Sequence, residues 1–139
     1  MIPSIDMMQQ YAPNVAPQTI AAIIQVESSG NQYAIGINGP VKRRIRPRSA
    51  QEAATEARYW ISKGYSVDLG LMQINSRNLP GLGITIEQAF DPAINIQACA
   101  KILIRNYFGR RPGCFQCLLF RMVRTGHLSQ RIGGLGLPD

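Results

Sequence analysis

Histidine occurs once, cysteine three times and acidic side chains eight times in 139 residues. This scarcity excludes several kinds of chemistry. Nucleophile-plus-histidine schemes have only His127 to draw on, in a C-terminal segment with no supporting pattern around it. Cys114 and Cys117 have metal-ligand spacing but no second pair, so no zinc site is expected, and neither a metal nor a cofactor is called for. Cys99 sits inside an apolar helical pattern and reads as a small core residue. There is no GxxxxGK[ST] loop and no strand-led GxGxxG to cradle phosphate. No apolar run approaches the roughly 18 residues of a membrane span. The opening MIPSIDMMQQ has no basic stretch followed by an apolar one, so no leader peptide is visible.

Acids are outnumbered by 15 basic residues, for a net charge of +7. The excess is local. Lys42, Arg43, Arg44, Arg46 and Arg48 form one patch, and Arg110, Arg111, Arg121, Arg124 and Arg131 form another. A solvated loop and a basic tail account for such patches, so a nucleic-acid partner is not expected, and binding through Lys42 to Arg48 is a distant alternative. With 45% hydrophobic and 17% charged residues the chain suits one folded domain with a real core.

What is present centres on Pro17 to Gly30, PQTIAAIIQVESSG. Ile20, Ile23 and Ile24 make an apolar helical stripe, and the next position on it is Glu27. Pro17 suits the first helical turn and Gly30 the left-handed residue after the last. Glu27 therefore falls in the final turn, where partial burial and the negative end of the helix dipole both disfavour its ionised form. A carboxylic acid that keeps its proton near neutral pH is suited to general-acid cleavage of a glycosidic bond. The pattern by itself leaves open the plainer alternative of an acid at a fraying helix end.

Along the chain, a short helix is expected over residues 4–11 with Ile5 and Met8 inward, then the helix from Pro17 to Ser29. Tyr33, Ile35 and Ile37 alternate ahead of Asn38-Gly39, a type I′ turn signal, so a small β-hairpin or irregular β-loop follows. Ser49 to Glu52 is a capping box opening a helix that runs through Ile61 and stops at Gly64, with Glu52 as cap and Glu56 as surface charge. YSVDLGLMQINS reads as a strand entering a turn or short helix, and NLPGLG as loop. A second capping box, Thr85 to Gln88, precedes Asp91-Pro92, which starts a long helix with Cys99, Ile102, Leu103 and Asn106 or Tyr107 inward, ended by Gly109. The fold class is mainly α (α+β), helices around a cleft with a small β insertion. Residues 1–108 form the domain, and 109–139 a divergent tail expected to be poorly ordered.

Elimination leaves Glu27 and Asp68 as the carboxylates not accounted for by caps, termini or surface. Here the chain resembles a known family. Glu27-Ser28-Ser29-Gly30-Asn31 followed by Tyr33-Ala34 is similar to the first motif of the lysozyme-like lytic transglycosylases, and Gly70-Leu71-Met72-Gln73-Ile74-Asn75 to their second. YAIGINGP, SVDLGLMQINSRNL and AFDPAINIQACAKIL resemble the branch attached to type IV secretion and conjugation systems. The resemblance spans roughly residues 14–108.

The resemblance implies a lysozyme-like fold and cleavage of the β-1,4 bond between N-acetylmuramic acid and N-acetylglucosamine in peptidoglycan, leaving a 1,6-anhydro end. Glu27 matches the catalytic acid. Ser28 would fix it by a local hydrogen bond, Gln73 would bind the sugar near the cleaved bond, Met72 and Ile74 would back the cleft, and Asn75 is a further groove candidate. Asp68 matches no family position with certainty and is held as a strand-end residue with a minor chance of assisting. The implied setting is the periplasm or cell wall, with glycan strands and secretion or conjugation components as partners. The family's third motif is absent after Phe108. Permitted codons for Gln116 to Met122, read one base forward, can spell Ser-Ala-Tyr-Tyr-Ser-Gly-Trp, close to that motif, which suggests a frameshift near residues 109–114. Competing expectations are a hydrolysing lysozyme and a non-catalytic peptidoglycan-binding remnant of the same apparatus.

Overall fold

The computed structural model describes residues 2–40 and 42–108, with backbone alone for 106–108. The tail after residue 108, with its expected poor order and missing motif, and the side chains of Asn106 and Tyr107 lie outside the described residues.

Helix α1 spans Ile5–Tyr11, with the Ser4 hydroxyl accepting from the Met7 N–H at 3.2 Å. Met8 turns inward, but Ile5, expected beside it, is 62% exposed, since a helix of two turns presents only one flank to the core. Helix α2, Pro17–Ser28, starts on its proline and buries Ile20, Ala22, Ile23 and Ile24. Its exit differs from the expectation. Ser29 (φ 54°) takes the left-handed cap position, and Gly30 (φ 82°) extends it.

The β part is a four-stranded antiparallel sheet rather than a lone hairpin. It comprises β1 (Ile35–Asn38), β2 (Arg43–Ile45), β3 (Ser66–Leu69) and β4 (Ile74–Asn75), in the order β2-β1-β3-β4. YSVDLGLMQINS therefore folds back on itself as β3 and β4, and β3 inserts beside β1 after the intervening helix. The type I′ turn is not formed. Neither Asn38 nor Gly39 has a positive φ; Asn38 remains in β1, and Gly39 packs so closely on Tyr65 that a Cβ there would lie 3.1 Å from the ring.

Alternation gives the sheet two unlike faces. Ile35, Ile37, Val67, Leu69 and Ile74 are buried in the core. The opposite face carries Gly36, Asn38, Ser66, Asp68 and Asn75. In register, Arg44, Gly36, Asp68 and Asn75 form one row across all four strands.

Between β2 and β3 lies α3 (Ala50–Ser62), capped by Ser49 and packed through Ala53, Ala54 and Ala57; Gly64 (φ 91°) ends it. The Glu56 carboxylate accepts from the Trp60 indole N–H at 3.2 Å, so it is tethered and half-buried rather than a free surface charge. NLPGLG is not simply loop: Leu79–Leu82 form α4, with Pro80 near its start and Gly83 closing it. Helix α5, Ile86–Ala89, has both bonds of its capping box. Helix α6, Pro92–Phe108, follows Asp91, whose carboxylate accepts from the Ile94 N–H. Its buried Ile96 and Cys99 join the α2 isoleucines and the inner sheet face in one apolar core. Among the described residues no helix is long and apolar enough to cross a membrane.

Candidate active site

The core places the last turn of α2 over the polar face of the sheet, and between them lies a cleft of about 440 Å³. Glu27 lines it from α2, Asn38, Ser66, Asp68 and Asn75 from the sheet, and Gln73 from the β3–β4 turn. Arg43 and Arg44 line it from β2 and Lys42 from the residue before that strand, and Ile102 of α6 contributes an apolar wall.

Glu27 is half-buried, and its pKa is pushed up from the ordinary 4.5 to about 7. Loss of water around the carboxyl is the main cause, and the negative charge of Asp68 adds to it. Arg44 and Lys42 act in the opposite sense but do not outweigh these two. The group thus titrates close to neutrality, so it can both hold and release its proton in the site. Behind it, the buried Cys99 thiol is pushed up to about 12 by burial and by Glu27, so it remains protonated and inert.

Ser28 is buried, and its hydroxyl donates to the Ile24 carbonyl at 3.1 Å and accepts from the Gly30 N–H at 3.2 Å. These bonds hold the left-handed exit of α2 and so fix where Glu27 sits. The side chain does not line the cleft. Arg44 reaches across from β2 and donates from Nη1 to the Glu27 carbonyl at 3.3 Å, fastening the same helix end to the sheet. The basic run is therefore not only a solvated loop. Arg43 also packs over the Trp60 ring, 5.4 Å from its centroid.

Gln73 has a left-handed backbone (φ 54°), and its Nε2 donates to the carbonyls of Ala34 and Gly70, each at 3.0 Å. Its Oε1 lies over Gly36, where a Cβ would come within 2.9 Å of it. Glycine at 36 thus leaves room for the amide at the cleft wall. Met72 is 1% exposed and belongs to the core behind the turn. Asn75 lines the cleft, donating from Nδ2 to Asp68 Oδ1 at 3.0 Å.

One feature went unread in the sequence. Asn95 is fully buried; its Nδ2 donates to the carbonyls of Leu69 (2.9 Å) and Ala89 (2.7 Å), and its Oδ1 accepts from the Met72 N–H (2.9 Å). It pins the turn that carries Gln73 to the start of α6. Gly70 (φ 77°) passes so near that a Cβ would lie 2.5 Å from Asn95 Nδ2. The available signal was an amide one turn before Cys99 on an apolar stripe, the same kind of anomaly that marks Glu27. Elimination in the sequence already singles out Asp68, as a strand-end residue. It is not at a strand end but within β3, facing the cleft, close enough to perturb Glu27.

The transglycosylase SLT domain model matches residues 5–112. A type IV secretion system protein virB1 from Brucella abortus is 50% identical over 104 residues, covering 74% of this chain and 43% of that protein. The protein virB1 of Agrobacterium fabrum is 36% identical over 101 residues, covering 73% of this chain and 41% of its own length. The chain therefore spans less than half the length of these curated relatives. No solved structure matches it. A match over most of the chain, on a fold that sets an acid of raised pKa in a polar cleft, leads to one conclusion: the chain belongs to the transglycosylase SLT domain family.

Proposed function

We propose that this chain is a peptidoglycan lytic transglycosylase with Glu27 as its single proton-transfer group, opening the cell wall locally for a type IV secretion or conjugation apparatus. The observation that carries the proposal is a carboxyl group with a pKa of about 7 at the end of α2, inside a cleft with the Gln73 amide on its wall. In its protonated form Glu27 gives its proton to the oxygen linking N-acetylmuramic acid to N-acetylglucosamine. The C1–O bond breaks, N-acetylglucosamine leaves with a free 4-hydroxyl, and positive charge develops at C1 of the muramic sugar. The Glu27 carboxylate then takes the proton from that sugar's own 6-hydroxyl as O6 bonds to C1. Glu27 ends protonated, no water is consumed, and the product is 1,6-anhydromuramic acid. A pKa near neutrality suits a group that acts first as acid and then as base.

Gln73, held by two backbone carbonyls, is placed to orient the sugar, and Asn75 lies within the same groove. Ser28 and Met72 support from behind: Ser28 fixes the end of α2, and Met72 underlies the turn. The similarity to virB1 proteins of type IV secretion systems supports the setting at the cell wall, with glycan strands as substrate and secretion components as partners.

The experiment is digestion of purified sacculi followed by mass spectrometry of the released fragments. Anhydromuropeptides that disappear with Glu27→Gln are expected. Fragments ending in reducing muramic acid would instead identify a hydrolase, and binding to sacculi without Glu27-dependent release would identify a non-catalytic wall-binding protein.

A further inference from the structure

Asp68 stands at the centre of a polar cluster on the cleft face of the sheet. Asn38, from β1, donates through Nδ2 to Asp68 Oδ2 at 3.1 Å, and Asn75, from β4, donates through Nδ2 to Asp68 Oδ1 at 3.0 Å. Each carboxylate oxygen thus has its own amide donor, one from each neighbouring strand. The same two amides also reach the Ser66 hydroxyl, at 3.3 and 3.4 Å. Directly opposite Asp68 in the register is Gly36, whose missing side chain leaves open the space between Asp68 and Gln73. The carboxylate is fixed in orientation, half-buried, and lines the same cleft as Glu27.

A side chain needed only for sheet stability has no reason to be an acid here. Two asparagines and a serine on this face would satisfy one another without a carboxylate, and placing a second negative charge beside Glu27 makes that acid harder to ionise. The arrangement makes sense if the charge serves the reaction. When the glycosidic bond breaks, positive charge develops at C1 and the ring oxygen, and a preorganised negative group in a partly dehydrated cleft lowers the energy of that state.

We propose that Asp68 is the second acid of this site, a fixed counter-charge for the glycosyl cation, with Asn38 and Asn75 as the positioning residues that aim it. This rests on the transglycosylase assignment of Glu27. Asp68 neither gives nor takes a proton in the step and forms no bond to the sugar; the proton balance stays with Glu27 and the 6-hydroxyl. The charge supplements any help from the substrate's own N-acetyl group. It also keeps Glu27 protonated in the resting site, since Asp68 opposes its ionisation against the pull of Arg44 and Lys42.

The test compares the wild-type chain with Asp68→Asn, which removes the charge at nearly constant shape, and with Asp68→Ser as a second neutral replacement should the first not fold. Two quantities are read: kcat and KM for fragment release from peptidoglycan, and the titration midpoint of Glu27 by carbon NMR of its carboxyl. Asp68→Asn should lose about 10²–10³-fold in kcat with KM nearly unchanged. The Glu27 midpoint should move to lower pH. Asn75→Ala, which keeps the charge but loosens it, should lose less in kcat than Asp68→Asn. A folded, neutral variant that keeps kcat within about twofold of wild type, or leaves the Glu27 midpoint in place, overturns the role of Asp68. If the wild-type chain itself releases nothing, the assignment of Glu27 fails and the role of Asp68 with it. Wild-type cleavage matched by the Asp68 variants removes Asp68 alone.

Discussion

Glu27→Gln should make the protein more stable, and increasingly so as pH rises. The native pKa of Glu27 is about 7 against an ordinary 4.5. Between those values the native state binds more protons at this site than the unfolded state does, so the site's contribution to stability is complete below pH 4.5 and is lost as pH rises through about 7. The full difference corresponds to about 3 kcal/mol at alkaline pH. Glu27 is only half-buried, and solvent screening reduces the effect to roughly 2 kcal/mol. Glutamine occupies the same space without titrating. Variant minus wild type therefore isolates this one ionisation, the remaining groups being common to both. Urea unfolding of both proteins, at pH values from about 4.5 to about 8.5, provides the measurement. The gain in stability of the variant should grow by roughly 2 kcal/mol across that range, most steeply between the two pKa values of 4.5 and about 7, and level off above the higher one. A difference that stays flat, or that shrinks toward high pH, would show that Glu27 is not held in its protonated form and would refute the physical basis of its role as an acid.

Replacing Lys42 and Arg44 together by Gln removes the two cations that favour ionised Glu27. The alkaline limb of the pH–rate profile should move to higher pH, and a shift to lower pH would contradict the electrostatics described. Asn95→Ala strands three buried partners, the Met72 N–H and the carbonyls of Leu69 and Ala89. A loss of about 3 kcal/mol or more in unfolding free energy is expected, and one below about 1 kcal/mol would mean the β3–β4 turn is held by something else. The codons for Gln116 to Met122 should, one base forward, encode Ser-Ala-Tyr-Tyr-Ser-Gly-Trp; sequencing codons that cannot do so removes the frameshift explanation for the missing third motif.

Much of the helical scaffold was legible in the chain because its signals are local. Pro17 and Asp91-Pro92 mark helix starts, Ser49 and Thr85 cap their helices, and Gly64 stops one, each through bonds that span a few residues. The same holds in part for Glu27: the stripe of Ile20, Ile23 and Ile24 puts it on the inward face of the helix, but the pattern alone did not separate a working acid from one at a fraying helix end. Where a local signal failed, a competing contact explains it. Asn38-Gly39 did not become a type I′ turn because Asn38 pairs with Ser66 in the sheet and donates to Asp68, and Gly39 packs against Tyr65.

Position in the sequence by itself determined that an acid lies at the end of a buried helical face and that an amide-bearing turn follows a strand. Tertiary structure alone decided what surrounds that acid. Asn38 lies 30 residues from Asp68, Arg44 lies 17 from Glu27, and Asn95 lies 23 from Met72. These separations carry no periodicity along the chain. They close only when β3 pairs with β1 in one register, since a slip of a single residue would turn Asp68 into the core and bring Val67 or Leu69 into the cleft.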